Sequence, residues 1–478
     1  SIQLEVDSIQ KLLYKKGYIE NELKNINKKN DSTFLAKFHL KKKFNTIYIY
    51  YTNSGVDTSI LNLVSNAVFD NYFILDFSEV EDALNIINTR ITEQGLPFSK
   101  LKLSNIQVKG NDNLMADLII ESNKKERTIN AIEIKGYEKF PRSYLEHYLK
   151  IKPKQTFNLS TIKRKTEQLN DLRFANQIKP PEVLFSKDST TLYLYLEKAK
   201  SNSFDGFLGF GTNEETNNIE FDENDQDTFK TDITLPYLFK SPVGVDLQLQ
   251  IFKRDSSFTT VNQFAKLHYQ INSKHKVYAG IINSESNNLL NENATLNIID
   301  YKTNYYSFAY EYLNPQNSNL LFPFNAKFYL ETNFGQRKLT NESQNQSLFA
   351  IDAFKIFNLN IKNSIYTRLN VSSLISDTYL ENELFRFGGI NSIRGFEENS
   401  LFASQYALIN TEYRYQLSNS IYMHSITDVA YFENKVQNTK EKLFGYGFGF
   451  GLLTKAGLFR FNYANGKLEN QKFKLSNS

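Results

Sequence analysis

Two hydrophobic periodicities divide this chain. Through roughly the first 200 residues, apolar positions three and four apart are interleaved with short alternating runs, which predicts helices mixed with strands. From Phe204 onward the period is two. Val243, Val245, Leu247, Leu249 and Ile251 alternate with Gly244, Asp246, Gln248 and Gln250, and Ala326, Phe328, Leu330, Thr332 and Phe334 alternate with Asn325, Lys327, Tyr329, Glu331 and Asn333. A strand built this way has one apolar and one polar face. Such strands, near 10 residues long with Asn/Ser/Lys-rich turns, can be read through to Tyr463 and number about fourteen. Their length suits a lipid bilayer crossed at a tilt. A soluble sandwich would need two sheets each burying one face, usually with shorter strands. The boundary between the two regimes falls near Ser201-Asn202-Ser203.

Before that boundary one unit recurs: a strand, two helical stretches, then two strands. In the middle copy, residues 46–51 alternate, Ser78 and Glu81 offer a capping box, and Val80, Ala83, Leu84, Ile87 and Ile91 fall on one helical face with Gly95 as the stop. Strands near 101–109 and 114–121 close it. A third copy opens at Ile132, Ile134 and Gly136, has helices near 142–150 and 159–173, and ends in strands at 182–186 and 191–197. The first copy starts directly with a helix carrying Ile9, Leu12 and Leu13, followed by strands near 17–26 and 33–42; its opening strand is expected upstream of Ser1.

Composition narrows the chemistry. Cysteine is absent, which removes disulfides, thiolate metal sites and thiol nucleophiles. The net charge of +4 is spread along the chain and makes no case for a nucleic-acid partner. With 39 Phe and 29 Tyr, the chain suits strands with aromatic belts at an interface. No stretch approaches the ~18 apolar residues of a membrane helix, but a barrel strand averages out as polar over any window. The five histidines lack ligand spacing, and no Gly-x-Ser-x-Gly elbow is present, so neither a metal nor a catalytic residue is expected. Residues 206–211 (GFLGFG) superficially match a phosphate loop, yet no helix follows, and they read as the first strand of the β region.

Parity orients the last hairpins. Ala407, Ile409, Tyr413, Tyr415 and Leu417 form one apolar face, leaving Asn410, Glu412 and Arg414 on the other; Ile421, Met423, Val429 and Tyr431 likewise leave His424 and Asp428 inside. Beyond them Tyr446, Phe448, Phe450 and Leu452 face outward while Gly445, Gly447, Gly449 and Gly451 face inward. A row of strand glycines marks a groove where another backbone comes close. The candidate is the glycine-punctuated loop at 385–396 (FRFGGINSIRGF), which would bring Arg394 to Glu412 and Asp428, where poor solvation favours bidentate pairing. The plainer alternative is that both carboxylates are solvated, or that they serve as an acid and base pair, which would need their two pKa values pushed apart.

The Gly-Gly-x-x-Ser-Ile-Arg-Gly-Phe pattern of residues 388–396 resembles the signature loop of the outer-membrane insertases and transporters that join POTRA domains to a β-barrel, the Bam, Tam and two-partner-secretion proteins. Residues 451–466 resemble the penultimate hairpin of those barrels, and the repeated unit resembles their POTRA domains. The resemblance implies α+β tandem POTRA domains, a partial one at 1–44 and others at 45–125 and 126–200, followed by an all-β transmembrane antiparallel barrel of about sixteen strands over 201–478. It implies that Arg394, with Gly388, Gly389, Gly395 and Phe396, is locked by Glu412 and Asp428. It also makes the seam between first and last strands a lateral gate, with Phe207, Gly209 and Gly211 on the first strand. The chain departs from the pattern at the acidic run 222–227 and at its end, where a further hairpin and a full last strand are expected; natural residues are expected to be missing at both places.

The function so implied is assembly of outer-membrane proteins, in a Gram-negative bacterium, without a covalent reaction or cofactor. Periplasmic POTRA strands would take up unfolded client segments by edge addition, and the barrel would release them to the lipid bilayer. Periplasmic or lipoprotein accessory subunits are compatible partners. About three POTRA units favour a Tam-like member over a five-unit Bam type. The alternatives are a two-partner-secretion transporter exporting a soluble client through the lumen, a passive porin, and an outer-membrane hydrolase, the last without a site to support it.

Overall fold

The computed structural model describes residues 2–471 apart from 31–32, 53, 122–124, 173, 200–209, 213–218, 222–225, 255–256, 290–297, 317–318, 320, 341 and 455–456. The chain divides into two compact units: Ser1–Glu138 with Ile151–Thr166 and Ile178–Leu196, and Lys139–Lys150 with Glu167–Gln177 and Glu197–Ser478.

In the first unit, helix α1 (Ile2–Lys15) buries only Val6 and leaves Ile9 and Leu12 exposed, so the apolar face expected of it does not pack. Strands β1 (Glu22–Lys28) and β2 (Phe34–His39) form a separate hairpin. Then come β3 (Thr46–Tyr50), the short α2 (Thr58–Leu61), β4 (Tyr72–Asp76), α3 (Val80–Glu93), β5 (Lys100–Lys109) and β6 (Asn113–Glu121). They make a sheet in the order β4-β3-β6-β5, with β3 and β6 parallel. The edge strand β4 was not expected from the sequence, because residues 72–76 (YFILD) are too short for a period to declare itself.

Ala83, Ile87 and Ile91 of α3 recur every four residues and bury themselves against Ile47, Ile49, Phe73, Leu75, Leu114 and Leu118. Each fully buried aliphatic side chain in this layer contributes about 1.5–3 kcal/mol. Gly95, at φ 91°, stands where the helix was expected to stop. The capping box does not form. Asp76 accepts instead from the Ser78 amide at 2.8 Å, ahead of a 3₁₀ turn over Phe77–Glu79, and no side chain caps α3 itself. Asp76 precedes Ser78 on the emerging chain and its carboxylate is the stronger acceptor.

After it, β7 (Ala131–Lys135), a π-helical turn at Tyr144–Tyr148, α4 (Leu159–Glu167), β8 (Ala175–Phe185) and β9 (Thr190–Lys198) follow, with sheet order β7-β9-β8 and β7 parallel to β9. The π turn replaces most of the helix expected at 142–150.

The second unit is dominated by one antiparallel meander. Strands β10 (Phe210–Thr212) and β11 (Ile219–Phe221) form their own hairpin. The meander then runs through β12 (Gln226–Leu235), β13 (Val243–Arg254), β14 (Phe258–Gln270), β15 (His275–Asn288), β16 (Tyr301–Pro315), β17 (Phe324–Lys338), β18 (Ser343–Asn358) and β19 (Asn363–Ile375). A long connection holds the short pair β20 (Phe385–Phe387) and β21 (Leu401–Ala403), and β22 (Gln405–Gln416), β23 (Ile421–Asn434), β24 (Thr439–Leu453) and β25 (Leu458–Leu468) complete it.

Among the described residues twelve of the expected fourteen or sixteen strands lie in one sheet, β12 to β19 and β22 to β25, and β12 and β25 do not pair to close it. Gly211 pairs with Glu220 in the β10–β11 hairpin, and Phe207 and Gly209, expected on the first strand, lie outside the described residues.

The sheet is inside out by the standard of a soluble core. Tyr306, Phe308, Phe448 and Phe459 are exposed, while Thr303, Ser307, Arg337, Asn410, Glu412, Arg414 and Asp428 are buried on the opposite face.

Candidate functional site

The connection between β19 and β22 folds back on the polar face. Its turn is closed locally: Gly388 and Gly389 have φ of 117° and 86°, the Gly388 amide donates to Ser392 Oγ at 2.6 Å, and the Ile390 amide donates to Glu398 Oε2 at 3.1 Å. Beneath it Phe387 stacks on Tyr406 at 4.7 Å, and Ile393, Ala403, Leu408, Ala430 and Leu443 form an apolar floor against which Phe396 also packs.

On this floor the Arg394 side chain lies between two strands, 6 % exposed. Its Nε and Nη2 donate to Asp428 Oδ2 and Oδ1 at 2.8 and 2.6 Å, and its own amide donates to Oδ2 at 3.1 Å. Nη1 donates to Glu412 Oε1 at 2.5 Å. Arg414 takes the other oxygen of that carboxylate through Nε at 2.7 Å, and its guanidinium lies 4.0 Å from the Tyr366 ring centroid. Two arginines and two carboxylates thus neutralise one another in a buried pocket, with all three nitrogens of the Arg394 fork donating to carboxylates.

The strand register arranges the rest. Arg368, Asn410, Asp428, Gly445 and Gly466 are successive partners across β19, β22, β23, β24 and β25, a single rung of the ladder. Residues 391–395 lie along this rung in order. Arg368 Nη1 donates to Asn391 O at 2.8 Å, Asn410 Nδ2 donates to Ser392 O at 2.7 Å, and Asp428 holds Arg394. A Cβ at Gly445 would lie 2.2 Å from Arg394 O, and one at Gly466 would lie 2.2 Å from Gly395 O. Only glycine permits backbone this close. The strap therefore crosses the strands transversely. Arg368 is itself anchored by Asp352 Oδ1 at 2.7 Å, and Lys327 reaches Oδ2 of the same carboxylate.

The groove expected over four glycines is accordingly divided. Gly445 meets the loop. Gly447 faces the backbone of Tyr463, Gly449 the His424 ring and the Asn462 side chain, and Gly451 the ring of Tyr422. Parity along one strand cannot tell a loop from a neighbouring aromatic. Gly466, Arg368 and Asn410 were not among the expected site residues; the signal that finds them is cross-strand pairing, which the sequence does not carry.

A second buried ion pair ties down the early part of the connection. Arg337, fully buried, pairs with Glu383 and donates through Nη2 to Gln344 Oε1 and Thr378 Oγ1, each at 2.6 Å. Asn382 Nδ2 donates to Ser286 Oγ at 2.9 Å.

Fold and site together define a class of protein: an α+β POTRA segment leading into an antiparallel sheet, apolar outside and ion-paired inside, with an arginine loop strapped to its inner face. The Omp85 superfamily domain matches residues 209–476, more than half of the chain, and POTRA, described as surface antigen variable number repeat, matches residues 127–197. The chain belongs to the Omp85 superfamily of bacterial outer-membrane insertases and transporters, whose work involves protein clients and the lipid bilayer. None of the curated proteins matches it. Among solved structures it is similar to BamA from Haemophilus ducreyi lacking POTRA domains 1–3, at 14% identity, covering 89% of this chain and 96% of that one with a TM-score of 0.54. CdiB from Acinetobacter baumannii matches at 14% identity over 98% of this chain and 94% of that one, with a TM-score of 0.47.

Proposed function

We propose that this protein is an outer-membrane assembly factor of the Tam-like kind, in which periplasmic POTRA units at 1–44, 45–125 and 126–200 receive unfolded client strands and the barrel edge templates and releases them into lipid. The observation that carries this reading is the last strand of the sheet: β25 presents Phe459, Phe461 and Tyr463 outward and, among the described residues, pairs along one edge with β24 and along the other with no strand. An apolar edge strand is a template for a further strand. Templating needs no bond made or broken, only backbone hydrogen bonds and burial. In this reading Arg394, Glu412 and Asp428 form a lock that fixes the inner face while the edge is in use.

Photo-crosslinkers at Phe461 and at residues 207–211 test the reading in cells. Capture of nascent barrel proteins is the expected result. Capture of a secreted soluble protein at inward positions such as Asn333, with nothing at the edge, would overturn it in favour of export through the lumen.

A further inference from the structure

The strap at Gly395 is one end of the long connection between β19 and β22. Its other end reaches the opposite side of the sheet. On β20 the Arg386 guanidinium lies 3.4 Å from the ring centroid of Phe252 on β13 and 5.1 Å from that of Phe258 on β14. The exchange is reciprocal, since Arg254 of β13 lies 4.5 Å from the ring centroid of Phe402 on β21. Phe252 and Phe258 are buried and pack with Ile298. Among the described residues, Arg386 Nε and Arg254 Nη1 are buried without a hydrogen-bond partner, so on those sides the two cations are held by the faces of rings.

We propose that this connection is a clasp across the seam of the sheet, with Arg386 and Arg254 as the positioning residues of its releasable end. In strand order β13 and β25 stand near opposite ends of the meander, and among the described residues they are joined otherwise by the succession of ladders between them. The clasp joins them directly, through Phe252 on one side and Gly466 on the other. Its two ends differ in kind. The Arg394 end holds by charge-assisted hydrogen bonds to buried carboxylates, which break at high cost. The Arg386 end holds by cation–ring contacts, which are weaker and, having no hydrogen-bond geometry to satisfy, can slide before they part. The aromatic contacts therefore let go first and free the β12–β14 rim while Arg394 stays docked on Asp428 and Glu383 on Arg337. This rests on the reading of the seam as a gate.

Because the chain has no cysteine, spin labels can be placed without background. The full protein carrying Leu247→Cys and Phe461→Cys, both outward positions, is labelled in lipid nanodiscs and the distance between labels is measured by pulsed electron resonance. Arg386→Gln and Phe252→Leu are each expected to raise the long-distance population on the order of tenfold. The double variant should exceed neither single, and Phe252→Tyr should match the parent. An unchanged distribution in Arg386→Gln and Phe252→Leu overturns the clasp, as does a shift in Phe252→Tyr as large as that in Phe252→Leu, which would make packing the cause. Arg254→Gln with Phe402→Leu repeats the measurement at the reciprocal contact should Arg386→Gln fail to fold. If distances shift but client crosslinking at Phe461 does not, the clasp stands and the gate reading falls.

Discussion

Replacing Arg394 by Ala removes three side-chain donors, and the two carboxylates do not suffer equally. Glu412 retains Arg414 at 2.7 Å. Asp428, 1 % exposed, loses both guanidinium donors and keeps only the residue 394 amide. Breaking a buried pair from one side costs about 3–5 kcal/mol, and Asp428 accounts for most of it here. Asp428→Asn, which turns a bidentate acceptor into a single one, should cost ~2–4 kcal/mol, and Glu412→Gln a comparable amount, because Arg394 keeps Asp428 but Arg414 keeps only ring contacts such as that with Tyr366. Arg394→Lys restores charge but not the fork and should recover less than half of the loss. The double variant Arg394→Ala/Asp428→Asn removes the orphaned charge together with its cause, so it should be more stable than the sum of the singles by about 2 kcal/mol. Urea unfolding of the parent and the five variants in lipid vesicles, followed by far-ultraviolet circular dichroism since the chain has no Trp, gives these differences. A coupling below about 0.5 kcal/mol would refute the reasoning.

Gly466→Ala places a Cβ 2.2 Å from Gly395 O and should lift the strap, opening the Arg394–Gly395 bond to trypsin; cleavage no faster than in the parent counts against the close fit. Arg337→Met leaves Glu383 buried without its cation, which should cost about 3–5 kcal/mol and accelerate hydrogen exchange at residues 378–384, with no acceleration speaking against a second anchor. In the first unit, hydrogen bonds from the Ser78 hydroxyl and amide hold the Asp76 carboxyl below its usual range. A depressed folded value means a contribution fully present above the unfolded pKa of about 3.9 and lost as pH falls through the folded one. Asp76→Ala should thus destabilise the Ser78–Ala83 amides by ~1 kcal/mol at pH 7, and the gap seen by hydrogen exchange should close in stronger acid.

Period-two patterning made the sheet legible, and parity was enough to put Asn410, Glu412, Arg414, His424 and Asp428 on one face, because a strand has only two faces to choose between. What it could not give was anything that depends on which residue stands beside which. Gly445 and Gly466 pair directly across β24 and β25, and that pairing makes the notch for the strap. Read along one strand, Gly445 is indistinguishable from Gly451, which accommodates Tyr422 instead. The helix cap was lost for a similar reason: Asp76 and Ser78 both fit a cap motif, and geometry decided between them. A strand was missed where the run was short, at β4.

The transverse rung has a consequence for assembly. Arg368, Asn410, Asp428, Gly445 and Gly466 come from five strands, and they form a straight line only when every intervening ladder is in its final register. A slip that keeps each side chain on its own face moves a strand by two residues, about 7 Å, and carries its member of the line out of reach of residues 391–395. The loop is thus a gauge of shear: it can seat only on a sheet whose stagger is already right, and once seated it penalises any slip.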